Sequence, residues 1–323
     1  MSAPASGSTR EQEPSASDGG ENRNQAAWLS QRERGTVAAL RLATLWATLV
    51  GRTLSRPMVH LIALYYALFD ANAKRVSRDW FARLTGEKPS FGQVYKHVLT
   101  FAQVTLDRLY FTSGRLAPFE FTRTGNQLLT RQAESGQGAI LLGAHVGSFE
   151  AMRASGSTEK MPISIVGTWE NAKMINALLS SLDPEMPPQV VDSTGDPVSL
   201  ALTLRDRIAK GHLLAMMADR VGLHEKTVEV DFFGEPASFA AGPFLLAAVL
   251  KCPVFIVFGL YSEPNRYDLY CEPFCEKVVL PRGDREAGLQ KVVEEYAERL
   301  ESYARKAPDN WFNFFDFWEK PTR

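Results

Sequence analysis

The sequence lacks several features that would assign it to a common functional class. Its 36 basic and 37 acidic residues give a formal net charge of −1, so no general attraction to nucleic acid is expected. It contains three cysteines, and no histidine lies near Cys271 and Cys275. Neither a disulfide framework nor a zinc site is therefore expected, and reduced thiols in a cytoplasmic protein are the preferred interpretation. We predict no metal ion and no bound cofactor.

The beginning of the chain has no large apolar side chains. Residues 1–27 contain no Leu, Ile, Val, Phe, Trp or Tyr. Because such a segment cannot bury enough apolar surface to offset the entropy lost on ordering, we predict a disordered tail. It also lacks the apolar stretch behind a basic start that a secretory signal peptide has, so a signal peptide is not expected.

No uncharged apolar run is long enough to cross a bilayer, which takes about 20 residues. Residues 28–83 are strongly apolar, yet Arg41, Arg52 and Arg56 interrupt them, and the uncharged piece 57–69 is too short. The same stretch has nine Lys and Arg against three Asp and Glu. Basic residues beside apolar helix faces are typical of a segment lying on a membrane surface. The alternative is a set of core helices with a solvated basic edge.

The chain changes character after about residue 115. Apolar runs of strand length occupy 138–144, 162–168, 189–193, 212–219, 253–262 and 266–274. Helical patterns occupy 147–155, 170–182, 197–210, 239–251 and 283–307. This alternation predicts an α/β fold with a mostly parallel sheet flanked by helices, in which the last two strands pair as a hairpin. We therefore divide the chain into a tail (1–27), a helical membrane-associating region (28–115) and an α/β domain (116–323).

The stretch GAILLGAHVGSFEAMR joins the first of these apolar runs to the next helix. His145 follows the predicted strand, Gly147 allows a tight turn, and Ser148 is a good helix N-cap. Ligands of open α/β sheets bind at the carboxyl ends of strands, where His145 is expected. Glu150, in the first helical turn, could reach back to the imidazole and fix its tautomer. The alternative is a histidine at a strand end and a solvated glutamate, with no chemistry.

Motifs for other chemistries are missing around His145. The sequence has no G-x-S-x-G nucleophile elbow and no phosphate-binding G-x-x-x-x-G-K-[ST] loop, and its G-x-G precedes the strand instead of following it. What remains is a His–Glu pair without a serine or cysteine nucleophile motif. Such a pair favours direct transfer, in which a general base activates an acceptor hydroxyl or amine.

Four blocks of sequence together resemble a known family. They are the basic, apolar N-terminal region, LLGAHVGSFE, MMADRVG followed by VEVDFFGEPASFAAGPFLLAAVLKCPVF, and APDNWFNFFDFW. Their order and spacing resemble the lipid A biosynthesis lauroyl/myristoyl acyltransferase family, within the glycerolipid acyltransferase superfamily with its H-x-x-x-x-[D/E] motif. The likeness covers about residues 28–318. It implies a glycerolipid-acyltransferase-like fold and acyl transfer at the cytoplasmic face of a bacterial inner membrane, by a peripheral or monotopic protein.

The resemblance also implies roles for individual residues. His145 matches the catalytic base and Glu150 its partner. Asp219, at a neighbouring strand end, would line the site, orienting the acceptor or supporting the histidine; a turn cap is the alternative. Arg220 could meet an anionic group of a substrate or form a surface ion pair. Backbone N–H groups near Gly147 could stabilise an oxyanion.

The substrates follow from the resemblance only as classes. The donor would be a thioester of acyl carrier protein or coenzyme A, and the acceptor a hydroxyl or amine of a membrane lipid. Residues 167–179 carry a single cation, Lys173, where lipid A enzymes are often more basic, which argues against a phosphorylated lipid A precursor. Two alternatives stay open: a membrane-associated lipid-binding protein without chemistry, and an acyl-thioester hydrolase.

Overall fold

The computed structural model of the chain describes residues 46, 49–158, 161–167, 189–222 and 225–318. The predicted tail (1–27), most of the basic stretch before residue 49 and the predicted helix at 170–182 lie outside the described residues.

Among the helices whose bounds the structure describes, three precede the sheet: α1 (Arg52–Phe69), α2 (Ala71–Thr85) and α3 (Phe91–Thr112). In α1 the residues Val59, Ala63 and Ala67 recur every four positions, and this narrow stripe is buried where α1 packs on α3. The Ser90 hydroxyl accepts from the backbone N–H of Gln93, whose side chain accepts in return from Ser90, a capping box that starts α3.

A buried ion pair fixes α1 against the rest of the molecule. The Arg52 guanidinium donates from Nε and Nη2 to the two carboxylate oxygens of Asp107 in α3, at 2.6 and 2.8 Å. The Tyr267 hydroxyl donates to the same carboxylate at 2.8 Å. Arg52 had been expected to face lipid headgroups from an interfacial helix; the structure shows it buried, because Asp107 supplies the partner that a buried cation needs.

Nine strands occur in the described part of the chain. They are β1 (Glu120–Thr124), β2 (Ala139–Gly143), β3 (Ile163–Gly167), β4 (Gln189–Asp192), β5 (Leu213–Met217), β6 (Thr227–Phe232), β7 (Glu235–Ala240), β8 (Val254–Ser262) and β9 (Arg266–Cys275). Seven of them form one sheet in the order β1-β9-β8-β2-β5-β3-β4, and β6 and β7 form a separate hairpin. Strands β8, β2, β5, β3 and β4 run parallel, whereas β9 and β1 run the opposite way. The prediction of a mostly parallel sheet flanked by helices is confirmed.

Five further helices in the described residues connect or cover the strands: α4 (Asn126–Glu134), α5 (Phe149–Thr158), α6 (Pro197–Ala209), α7 (Gly242–Leu250) and α8 (Arg285–Lys306). A short 3₁₀ turn, Pro308–Asn310, follows α8. Alternate side chains of β2 enter different cores, as the twofold period of a strand requires. Ile140 and Leu142 pack in the cluster that contains Tyr296 of α8, while Leu141 packs in the cluster that contacts Phe149 of α5.

The sequence missed two features of this architecture. Strand β1 was not predicted, because its EFTRT sequence has no apolar run. Residues 57–69 were treated as a separate uncharged piece after Arg56, yet both Arg56 and Pro57 lie inside α1, which starts after Gly51. Phe233 and Gly234, both at positive φ, connect β6 to β7.

None of the helices in the described residues combines the length and the apolar composition needed to cross a membrane.

Candidate active site

His145 and Asp219 meet because they follow two neighbouring parallel strands. Strand β2 pairs with β5 from Ala139 with Leu213 through Gly143 with Met217, so both strands end at the same edge of the sheet. His145 comes two residues after β2 and Asp219 two residues after β5. The prediction that both lie at this carboxyl edge is confirmed.

The Asp219 carboxylate holds both the ring and the backbone of His145. Its Oδ1 is 2.9 Å from His145 Nδ1, and its Oδ2 accepts the His145 backbone N–H at 3.0 Å. Because an ionised carboxylate only accepts, this contact places the proton of a neutral imidazole on Nδ1 and leaves Nε2 as the basic nitrogen. The ring is 30 % exposed, and among the described residues no group hydrogen-bonds to Nε2.

Asp219 is fully buried and nevertheless ionised. Burial alone would raise the pKa of its carboxyl, but His145, the nearby Arg220 charge and a hydrogen bond from Asn313 together hold the pKa of Asp219 well below its usual range. A buried, ionised aspartate beside a part-exposed histidine is the arrangement that orients an imidazole and stabilises its protonated form.

A segment after α8 completes the surroundings of Asp219. Asn313 donates from Nδ2 to Asp219 Oδ2 at 3.0 Å and accepts from Arg220 Nε at 2.8 Å. Arg220 also donates to the Phe312 carbonyl at 3.0 Å, and its pKa is lowered by burial, against the opposing effect of Asp219. Arg220 was predicted to meet a substrate or to form a surface ion pair; in the structure its part-buried guanidinium contacts this segment, and contact with a substrate stays a prediction. Sequence reasoning missed Asn313, although it lies in the aromatic block that supported the resemblance.

Glu150 has a different partner from the predicted one. Its Oε1 lies 2.7 Å from Nε of Arg108 in α3, and no hydrogen bond joins it to His145 in the described residues. The prediction that Glu150 contacts the imidazole of His145 is therefore wrong. Asp219 is the carboxylate beside the ring, and Glu150 pairs with Arg108 of α3 instead. Whether Glu150 takes part in a reaction stays a prediction.

Gly147 is required by a close approach of two backbones. It has φ 71°, and a Cβ at this position would overlap the carbonyl oxygen of Gly259 in β8. Its N–H donates to the Asn310 carbonyl at 2.9 Å, and the next N–H, that of Ser148, donates to the Gly259 carbonyl at 2.7 Å. Since both donors are used, these two N–H groups are not available to an oxyanion; whether another N–H group near Gly147 stabilises one stays a prediction. The Ser148 hydroxyl caps α5 at the Ala151 N–H, as predicted.

An apolar cavity of about 60 Å³ lies between α5 and the sheet. Its lining includes Phe149 and Met152 of α5, Leu141, Ala215 and Val257 of the sheet, and the polar side chains of Arg123, Arg153 and Ser155. Helix α5 covers the cavity and begins three residues after Val146. The cavity and His145 therefore border the same junction between β2 and α5.

The described residues offer no evident place for a metal ion. They contain no group of three or more His, Cys, Asp or Glu side chains close enough to hold one. The cysteine thiols are poorly suited as ligands or nucleophiles, because burial raises the pKa of Cys252 to about 11 and that of Cys271 to about 12.

Comparison with known proteins gives two findings. The family described as bacterial lipid A biosynthesis acyltransferase matches residues 98–320, which include every site residue described above. A phosphatidylinositol mannoside acyltransferase of Mycolicibacterium smegmatis is 22 % identical over 260 residues, covering 78 % of this chain and 82 % of that protein.

Proposed function

Because the chain belongs to the bacterial lipid A biosynthesis acyltransferase family, we propose that it transfers a fatty acyl chain from a thioester to a hydroxyl or amine of a membrane lipid. The resemblance inferred from the sequence is thereby confirmed. The observation that carries the proposal is the contact between His145 Nδ1 and the buried, ionised Asp219, within the part of the chain that the family covers. This contact leaves a basic nitrogen on a part-exposed ring, as general-base chemistry requires.

The proposed reaction needs no covalent enzyme intermediate. Nε2 of His145 takes the proton of the acceptor O–H or N–H while the oxygen or nitrogen attacks the thioester carbonyl. The tetrahedral intermediate then collapses: the new ester or amide bond remains, the C–S bond breaks, and the leaving thiolate takes the proton from the imidazolium. Asp219 stabilises the imidazolium between these two steps, because its negative charge lies against Nδ1.

We propose that Glu150 acts through Arg108 and not through His145. Arg108 is 40 % exposed on α3, and the 2.7 Å ion pair with Glu150 fixes its guanidinium beside the first turn of α5. A fixed cation at the edge of the site suits an anionic group of a donor or acceptor. Loss of the Glu150 charge would then weaken substrate binding more than the proton transfer.

The apolar cavity under α5 is our candidate for the acyl chain. Apolar side chains of α5 and of strands β2, β5 and β8 form most of its lining, which suits a hydrocarbon chain, and Arg123, Arg153 and Ser155 line the rest. The carbonyl carbon of the thioester would lie next to His145, and the hydrocarbon tail of the acyl chain would extend beneath α5.

Membrane contact is proposed through one face of α1. Leu54, Leu61, Tyr65, Leu68 and Phe69 are exposed and lie at helical spacings on the side opposite the buried stripe. An exposed apolar face of this kind suits the headgroup–acyl boundary of a bilayer, and we propose a peripheral or monotopic position at the cytoplasmic face of a bacterial inner membrane. The cations of α1 contribute less to membrane binding than the sequence indicated, since Arg52 is buried and the Arg56 guanidinium lies 3.3 Å from the Glu263 carboxylate.

The donor is proposed as a thioester of acyl carrier protein or of coenzyme A. Acyl carrier protein is acidic, so its docking would be electrostatic and would weaken as salt rises. Measuring the apparent donor affinity at low and high salt with each carrier separates the two: a KM for the carrier-protein thioester that does not change with salt would favour coenzyme A.

The test of the proposed function is a transfer assay with purified protein, a radiolabelled acyl thioester and liposomes made from the lipids of a deletion strain. Acylated lipid should form with wild-type protein and fall by about 10²- to 10⁴-fold with His145→Ala, the range typical of general-base loss. His212→Ala is the matched control, because His212 contacts Ser164 at the opposite edge of the sheet.

Two results would overturn the proposal. Release of free fatty acid without acylated lipid would identify a thioester hydrolase. Binding of lipid with no turnover of any thioester, unchanged in His145→Ala, would identify a lipid-binding protein without chemistry.

A further inference from the structure

The backbone after α8 extends the loop that carries His145. We call residues 307–313 the closing segment. The Phe312 N–H donates to the His145 carbonyl at 2.8 Å, and the Gly147 N–H donates to the Asn310 carbonyl at 2.9 Å, so Val146 and Trp311 form an antiparallel bridge. The loop after β2 is therefore held from one side by the end of the chain's described part, about 165 residues further along the sequence.

Two other elements hold the closing segment. The Asn310 side chain accepts the Tyr261 N–H at 2.7 Å and donates to the Tyr261 carbonyl at 3.1 Å, which joins it to β8. The His97 ring in α3 is fully buried; its Nε2 lies 2.5 Å from the Trp311 carbonyl and its Nδ1 lies 3.0 Å from the Ser77 hydroxyl. The segment thus has a fixed position from which a side chain can act on the site.

Asn313 is the side chain that does so. Its amide lies between two groups of opposite charge that are adjacent in sequence, Asp219 and Arg220. Nδ2 donates to the carboxylate and Oδ1 accepts from the guanidinium, and the amide is almost fully buried. In the described residues no hydrogen bond joins the Asp219 carboxylate to the Arg220 guanidinium. Each of them is hydrogen-bonded to the neutral amide of Asn313.

We propose that Asn313 is a positioning residue that keeps the Asp219 charge directed at His145 by preventing a direct Asp219–Arg220 ion pair. A direct pair would turn the carboxylate toward the guanidinium and would offset the negative charge that stabilises the imidazolium. An amide can separate the two because it offers one donor and one acceptor, whereas an apolar side chain offers neither and lets the guanidinium approach the carboxylate. This inference rests on the proposed function, in which His145 is the base.

The proposal predicts opposite effects of two substitutions on the pH–rate profile. In Asn313→Ala the guanidinium can approach the carboxylate, the imidazolium loses support, and the acid limb of kcat/KM should move to lower pH. In Asn313→Asp the donor to Asp219 is lost and Arg220 pairs with the new carboxylate. Where both carboxylates are ionised, one more negative charge lies near the ring and favours its protonated form, so the acid limb should move to higher pH. Each shift is expected to be about one pH unit at most, as for a single nearby charge. Both variants should lower kcat by on the order of tenfold with little change in KM, since the reacting geometry is altered and not the binding of substrate.

Few other ionisable groups could change the pH–rate profile through Asp219. The ionisable side chains that face Asp219 in the described residues are His145, Arg220 and the Tyr296 hydroxyl of α8. Tyr296 donates to the Gly143 carbonyl at 2.8 Å, and burial raises its pKa well above its ordinary value, so it does not titrate in the range of the assay. His97 faces the closing segment but contacts the Trp311 carbonyl and not Asp219.

The experiment measures kcat, KM and the pH–rate profile of the full chain with Asn313→Ala, Asn313→Asp and Gln132→Glu, and checks folding by thermal unfolding. Gln132→Glu makes the same amide-to-acid change beside Gln137, just before β2 at the opposite edge of the sheet. It should leave kcat and the acid limb unchanged.

Opposite shifts of the acid limb in the two Asn313 variants support the proposal. Folded Asn313 variants with a wild-type profile, or with shifts in the same direction, overturn it even if kcat falls, because a purely structural role predicts no such sign change. An active His145→Ala protein would overturn the proposed function, whereas an inactive His145→Ala protein together with unaltered Asn313 profiles would overturn only the role of Asn313.

Discussion

The two sides of His145 differ in almost every physical respect. On one side lie the ends of β2 and β5 and the closing segment, where Asp219 is fully buried and bonded to His145 and Asn313. On the other lie α5, α3 and α1, where Glu150 is partly exposed and paired with the exposed Arg108, and where the apolar cavity and the exposed apolar face of α1 occur. The comparison indicates a division of roles: the Asp219 side sets the protonation of His145, and the Glu150 side contacts the substrate and the membrane.

The largest expected effect separates the two carboxylates directly. Asp219→Asn should lower kcat by about 10²- to 10⁴-fold, because an amide cannot stabilise the imidazolium and can favour the wrong tautomer. Glu150→Gln should lower kcat/KM by no more than about tenfold, mainly through KM, since it loosens Arg108 and leaves the His145 contact intact. Steady-state kinetics of both variants, with thermal unfolding as the folding control, make the comparison. An equal or greater loss of kcat in Glu150→Gln would reverse the assignment of roles.

The contact between α3 and the closing segment should also show a distinct dependence of stability on pH. Burial lowers the pKa of His97 to about 4, against hydrogen bonding to the Trp311 carbonyl, so the folded protein keeps this ring neutral where an unfolded chain would protonate it. Between about pH 6.5 and pH 4 the unfolded state binds more protons, and the free energy of unfolding should fall as pH falls, by up to about 3 kcal/mol. Above pH 6.5 His97 should contribute no slope.

Denaturant unfolding across this range tests the effect with His97→Gln, which should flatten the slope, and with His60→Gln as the control, which should retain it. His60 is part-buried and contacts the Tyr95 hydroxyl, away from the closing segment. Equal slopes in wild type and His97→Gln would show that His97 is not the buried neutral ring described here.

On the Glu150 side, the exposed face of α1 should control membrane binding without altering the chemistry. Leu61→Glu combined with Leu68→Glu should weaken binding to liposomes by at least about tenfold, because two apolar side chains would no longer be buried in the bilayer. Turnover of a water-soluble acceptor should be unchanged. Leu202→Glu, an exposed leucine of α6, is the matched control. Flotation with anionic and neutral vesicles gives the measurement, and undiminished binding of the double variant would rule out docking through this face.

The smallest expected effect concerns the acyl chain. Ala215→Leu narrows the cavity under α5, so the preferred chain should shorten, with a change of a few-fold in the ratio of kcat/KM between long and short thioesters. Ala287→Leu, at an exposed position in the first turn of α8, adds the same volume outside the cavity and should leave the ratio unchanged. An unaltered ratio in a folded Ala215→Leu protein would place the chain elsewhere.

The sequence predicted most of the fold because the strands of the sheet are buried on both faces. Runs such as AILLG and LLAMM are apolar throughout, which marks central parallel strands. The edge strand β1 has no such run, because EFTRT is largely exposed, and it was missed. The β8–β9 hairpin was predicted correctly from its two apolar runs and the turn between them.

The candidate site was predicted in part for a related reason. A motif read along the chain pairs His145 with Glu150, five residues away, but parallel pairing of β2 with β5 brings Asp219 closer to the ring than the helix brings Glu150. Asp219 was identified because it ends a predicted strand. Asn313 was not, because its position depends on the closing segment crossing back over the His145 loop, and no local pattern encodes a contact across about 165 residues.

The protonation of His145 itself gives the most direct test of which carboxylate supports it. The measurement is the ¹⁵N NMR spectrum of protein with labelled histidine at alkaline pH, following the two ring nitrogens of His145 in wild type, Asp219→Asn and Glu150→Gln, without substrate. The neutral ring should carry its proton on Nδ1 in wild type and in Glu150→Gln, because the Asp219 carboxylate accepts from Nδ1, and Asp219→Asn should lose this preference. Loss of the Nδ1 proton in Glu150→Gln together with its retention in Asp219→Asn would contradict the assignment of Asp219 as the partner of His145.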